Sequence, residues 1–244
     1  MDFLFAPEFW VALGQIIIID ILLGGDNAVV IALACRKLPP AQRAKGIIWG
    51  TAGAIILRVI LIVFAMTLLN LPFLKLVGAL LLVWIGVKLI APDEEGHGNV
   101  AESDKLLAAI KTIIVADLVM SVDNVIAIAG AAQNAGEHSL LLVVLGLLIS
   151  IPIIVWGSQL VIKLMERFPI IITGGGMLLG WIAGGMLVTD PALADPSRWQ
   201  WMLKLPQGDM VQYGASVAGA LIVLATGKWL LARQGRSGTP TQHG

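Results

Sequence analysis

"IIIIDILLGGDNAVVIA", residues 16–32, sets two aspartates, an asparagine and a Gly-Gly pair inside a run that is otherwise apolar enough to cross a bilayer. A hydrocarbon core takes about 20 apolar residues per helix, and an ionised Asp at its centre costs roughly 2.5–3.5 kcal/mol on insertion scales. Either the run is not a span, or its charges face a protein interior that has a use for them.

The rest of the chain decides for a span. Over 244 residues, 58% are hydrophobic and 13% charged, about half the charge of a soluble domain, and the mean hydropathy is +0.90. Sixteen basic residues balance sixteen acidic ones, which leaves no electrostatic footprint for nucleic acid. The single cysteine, Cys35, makes no intrachain disulfide and reads as packing. The N-terminus "MDFLFAPEFW" lacks a basic region, so the first apolar run is expected to stay in the mature protein.

Hydropathy predicts an all-α membrane protein with seven spans, at about 9–34, 47–69, 72–91, 106–132, 139–161, 170–188 and 212–231, in one transmembrane domain over 1–231. Connectors such as "RKLPPAQRAK" and "APDEEGHGNVAESDK" separate them, and the polar tail 232–244 is expected to be disordered. Arg36, Lys37, Arg43 and Lys45 mark the first connector as cytoplasmic, and Lys163, Arg167, Arg233 and Arg236 fall on the same side. This predicts the N-terminus outside and the C-terminus in the cytoplasm.

Self-comparison reveals a repeat. "DILLGGDNAVVIA" at 20–32 aligns with "DLVMSVDNVIAIA" at 117–129, and the same offset of 97 aligns "GALLLVWIG" at 78–86 with "GGMLLGWIA" at 175–183, matching Trp84 to Trp181. Spans one to three (about 9–91) and four to six (about 106–188) then read as two copies of a three-helix unit. Three is odd, so the copies have inverted topology, with span seven added. Four of the ten aspartates and two of the five asparagines fall in the two motifs, which chance resemblance between apolar helices does not explain.

At 1.5 Å per residue, Asp20 and Asp117 lie within about 3 Å of their span centres, so they are expected at one depth. Asp20 and Asn27 share a helical face, as do Asp117 and Asn124, whereas Asp26 and Asp123 point about 120° away. Gly24 and Gly25 permit an unwinding that brings Asp26 round; Ser121 and Val122 stand at the matching positions of the second copy. Carboxylates and amide carbonyls without Cys or His form a hard oxygen-donor set suited to Mn2+, Mg2+ or Ca2+. Asp20, Asp26, Asn27, Asp117, Asp123 and Asn124 are the candidate ligands, with Gly24, Gly25, Ser121 and Arg58 in support. Arg58, the only central basic residue, is placed to pair with one aspartate. Interhelical glue is the structural alternative. "TGGGMLLGWIAGG" and "GTAGA" read as close-packing surfaces between helices. His97 and His138 read as connector residues.

"LLGGDNAVVIALA" and "SVDNVIAIAGAA", with the apolar framework from about 9 to 231, resemble the TerC family of integral membrane proteins, its short YjbE-type members in particular. The resemblance implies membership of a cation-exporter superfamily related to LysE-type transporters. It implies Mn2+ as transported ion rather than cofactor, the six acidic and Asn positions as its site, no enzymatic activity, and a bacterial inner (plasma) membrane location. Many relatives carry Ser before Gly-Asp-Asn; this chain has Gly24, so no hydroxyl ligand is expected there. Expected partners are a divalent cation and the lipid bilayer, with homo-oligomerisation open. The alternatives from other classes are an intramembrane aspartyl protease, against which Leu23 stands where such enzymes have Gly, and a non-transporting scaffold in metal or tellurite stress resistance.

Overall fold

A computed structural model of the protein describes residues 7–64, 71–91, 102–133, 139–194 and 208–237. All regular structure among them is helical: α1 (Pro7–Leu23), α2 (Gly25–Cys35), α3 (Pro40–Val63), α4 (Leu74–Ile90), α5 (Glu102–Gln133), α6 (Ser139–Arg167), α7 (Ile170–Val188), α8 (Pro191–Ala194) and α9 (Asp209–Ser237). Residues 92–101 of the acidic connector, with His97, and 134–138 of the fourth connector, with His138, lie outside the described residues; of the tail 232–244, residues 232–237 continue α9 as helix, contrary to the disorder expected, and 238–244 lie outside the described residues.

Among the described residues, four helices are long and apolar enough to cross a membrane, and five if the bent pair α1–α2 is one span. Two of the seven helices expected from hydropathy fall outside this set: α4, which has only 17 residues, and α5, whose side chains are described over only part of its length. The first span is broken at Gly24, where α1 gives way to α2 at a bend of 47°. A Cβ on Gly24 would run into the backbone carbonyl of Asp20, whereas one on Gly25 would meet nothing. The glycine pair therefore acts mainly through its first member. The fourth span, with Ser121 and Val122 at the corresponding place, continues as one helix.

The chain divides into two compact units. The first contains α1, α2, α3, α5 and α6. In it α3 packs chiefly on α5, while α1 and α2 pack chiefly on α6. Phe9, Ala12, Leu13 and Ile16, at the i, i+3, i+4, i+7 spacing of one helical face, meet Leu142, Val143 and Leu147 of α6. Gly50 and Gly53 admit Ile113 and Ile114 of α5 against the backbone of α3. The inward face of α3 carries Thr51, Ala54, Arg58 and Leu61, and its outward face carries Trp49, Ile56, Ile60 and Val63. Such an apolar outer stripe is what a lipid-facing helix presents.

In the second unit α7 packs on both α4 and α9. Gly86 of α4 faces Gly176, Gly180 faces Gly219 of α9, and Gly184 faces the backbone of Ala215. The glycine-rich stretch thus serves as the close-packing surface expected of small residues in membrane helices. Asp190, fully buried just after α7, accepts the backbone N–H groups of Phe73 and Leu76 at 3.0 Å and of Ala192 at 2.8 Å. It satisfies donors that the first turn of α4 leaves without intrahelical acceptors.

Candidate functional site

The interior of the first unit holds an ionic cluster. Asp20 from α1, Arg58 from α3, Asp117 and Ser121 from α5 and Ser150 from α6 are between 0% and 6% exposed. Arg58 Nη1 donates to Asp20 Oδ1 and Nη2 to Asp117 Oδ1, both as ion pairs. Its Nε donates to Ser121 Oγ at 3.0 Å, and that hydroxyl donates on to Asp117 Oδ2 at 3.1 Å. The Ser150 hydroxyl donates to Asp20 Oδ2. A planar guanidinium with donors on three nitrogens suits such a bridge, where an ammonium would not. Helical geometry supplies the placement: Asp117 and Ser121 are four residues apart on one face of α5, and Arg58 lies two turns beyond Thr51 on the inward face of α3.

Asp20 and Asp117, expected at one depth, are therefore brought together, and Arg58 pairs with both rather than with one. Asn27 is 4% exposed, and neither its side-chain oxygen nor its nitrogen has a hydrogen-bond partner; the Thr51 hydroxyl, in a residue 3% exposed, has none either. Both side chains line a cavity of about 20 Å3 that Arg58 and Asp117 also line. Asp26 sits in the first turn of α2, half-buried, where its Oδ1 accepts the N–H of Asn27 at 2.8 Å. Asn124 is half-buried on α5, and the side chain of Asp123 lies outside the described residues. No group of three or more His, Cys, Asp or Glu side chains poised for a metal ion occurs among the described residues.

Ser150 and Thr51 were missed from the sequence. The signal for Thr51 was its i, i+7 relation to Arg58 on α3; Ser150 has a weaker one, a hydroxyl two residues before Pro152 in an apolar helix that also carries Ser139 and Ser158.

The TerC model, described as that of the integral membrane protein TerC family, matches residues 5–235. The chain belongs to the TerC family. It is 44% identical over 187 residues to the uncharacterized membrane protein YjbE of Bacillus subtilis (strain 168), covering 77% of this chain and 84% of that one. It is 28% identical over 180 residues to the UPF0053 inner membrane protein YgdQ of Escherichia coli (strain K12), covering 67% and 74%. A further relative, the uncharacterized membrane protein YceF of Bacillus subtilis, is 26% identical over 186 residues. No solved structure matches. With several apolar helices of spanning length, this TerC-family chain is a multi-pass membrane protein.

Proposed function

We propose that the protein exports divalent metal cations, Mn2+ foremost, across a bacterial inner membrane by alternating access, and that it is a transporter rather than an enzyme. The observation that carries this reading is the convergence of one intramembrane carboxylate from each Asp-Asn motif on a single cationic centre. Buried ionisable groups in a membrane interior are retained for ion or proton pathways, and two carboxylates match the charge of one divalent ion. Neutral oxygens of Asn27, Thr51, Ser121 and Ser150 surround them, a hard donor set. The location follows the inner-membrane description of the relative YgdQ.

Seven spans in two inverted copies, with the N-terminus outside, are the architecture we infer for this work. The packing supports it. Exchanging the copies turns the pairing of span two with span four, seen as α3 on α5, into that of span five with span one, seen as α6 on α1 and α2. Trp84 and Trp181 are likewise both exposed at matching positions. Rocking of one copy against the other would then open the site to each side in turn, with proton coupling through the intramembrane aspartates.

The guanidinium between Asp20 and Asp117 weighs against a peptidase, in which two carboxyl groups share one proton. The test is flux of Mn2+, Mg2+, Ca2+ and Zn2+ into inverted vesicles or proteoliposomes, with Asp20→Asn and Asp117→Asn for comparison. Mn2+ uptake that both variants abolish is expected. Variants that transport like the parent would remove these residues from the site, and no divalent flux under a pH gradient or a voltage would end the exporter reading.

A further inference from the structure

The centre already holds a cation of its own. All three donor-bearing nitrogens of Arg58 are engaged, and each oxygen of Asp20 and Asp117 already accepts from Arg58, Ser121 or Ser150. A divalent ion that enters between the carboxylates meets a cation already in place. Beside it, the opposite holds: Asn27 Oδ1 and Thr51 Oγ1 are acceptors buried without donors, on the wall of the cavity that Arg58 also lines. Unpaired buried polar atoms are uncommon enough to require an explanation.

We propose that Arg58 is a tethered counter-cation with two positions. In the empty carrier its guanidinium lies between Asp20 and Asp117; when divalent cargo takes that place, the guanidinium is drawn toward Asn27 Oδ1 and Thr51 Oγ1. The inference rests on the transport reading above. Three features of the structure serve it. Thr51 and Arg58 share one face of α3, and helical side chains lean toward the N-terminus, so the move needs a change of rotamer rather than of helix. A guanidinium has donors and no acceptor, so it can pair with the two oxygens, while Asn27 Nδ2, also buried without a partner, is a donor that it leaves as it is. The cavity of about 20 Å3 that Arg58 lines together with Asn27 and Thr51 gives the leading nitrogen of the guanidinium a place to enter.

Charge supplies the purpose. Asp20, Asp117 and Arg58 sum to −1 without cargo, and to +1 with a divalent ion bound. Without the arginine the same states would carry −2 and 0, which favours the loaded state and opposes the return of the empty one. Arg58 thus promotes release of cargo and lets the empty carrier reorient.

The test compares net Mn2+ efflux with Mn2+/Mn2+ exchange in proteoliposomes, because exchange never requires the empty carrier to reorient. Arg58→Gln is expected to raise the ratio of exchange to net efflux at least tenfold and to lower the half-saturating Mn2+ concentration, with Arg58→Lys intermediate. Thr51→Val, which keeps shape and touches no ion pair, is expected to raise the half-saturating concentration at least threefold without lowering the melting temperature. This variant tests the second position even if Arg58→Gln fails to fold. Equal loss of exchange and net efflux in Arg58→Gln, or an unchanged half-saturation in Thr51→Val, would overturn the two-position arginine while leaving the exporter reading intact. A parent that moves no divalent ion in either mode would overturn the exporter reading itself.

Discussion

Removing Arg58 should destabilise the protein far more than removing either aspartate, although all three share one cluster. With charge centres about 4 Å apart and an effective dielectric constant of about 20, each Arg–Asp pair contributes about 4 kcal/mol of attraction. Arg58→Gln deletes both pairs at once and leaves two carboxylates, 1% and 6% exposed, facing each other without compensation. Breaking a buried pair by removing one partner costs about 3–5 kcal/mol, and this loss should reach the top of that range or exceed it. Asp20→Asn leaves the Arg58–Asp117 pair intact and neutral, so its cost is the charged part of one hydrogen bond, about 1.5–3 kcal/mol. The double variant Asp20→Asn/Arg58→Gln keeps a single buried carboxylate. It should be more stable than the sum of the single losses by up to about 3 kcal/mol. Thermal unfolding of the four proteins in one detergent, at about 2–4 °C per kcal/mol for a chain of this size, reads the whole cycle. An Arg58→Gln protein that melts with Asp20→Asn, or losses that add to within about 0.5 kcal/mol, would refute the shared-cation account.

Two further predictions concern the second unit. A methyl group on Gly184 would fall on the carbonyl of Ala215, and one on Gly180 on that of Gly219, whereas one on Gly214 meets nothing within 4 Å. Gly184→Ala and Gly180→Ala should each cost about 1–3 kcal/mol through overpacking, and Gly214→Ala should be neutral or stabilising; equal melting temperatures for the three would contradict the helix contact. Asp190→Ala should cost at least about 2 kcal/mol, since it removes a cap and leaves buried N–H groups unpaired. Hydrogen exchange at Phe73 and Leu76 should then accelerate, and unchanged protection there would show that Asp190 does not hold the start of α4.

What the sequence disclosed and what it withheld have different physical causes. Periodicity and composition announce any helix whose environment is lipid, because lipid accepts only apolar side chains and satisfied backbones; α3, α6, α7 and α9 were legible for that reason. Asp20 and Asp117 were legible because charge in such a run is expensive. The break at Gly24 was legible from the glycine pair, although which glycine matters was not, since that depends on where the Asp20 carbonyl comes to lie. Arg58 could be located but not paired. Its counterpart at the repeat offset is Val155, so one guanidinium serves both copies, and self-comparison cannot reveal a partner that occurs once. Thr51, Ser150 and Asp190 were not singled out, because a short polar side chain costs little in a hydropathy count, and its importance arises only from the atoms it meets. The asymmetry of Arg58 has a functional corollary within the proposed mechanism. If inverted copies alternate about a pseudo-twofold axis, their carboxylates exchange roles while the arginine stays with α3. The two access states would then differ in how firmly the guanidinium holds Asp20 relative to Asp117, and an intrinsically symmetric repeat would acquire a preferred direction of ion release.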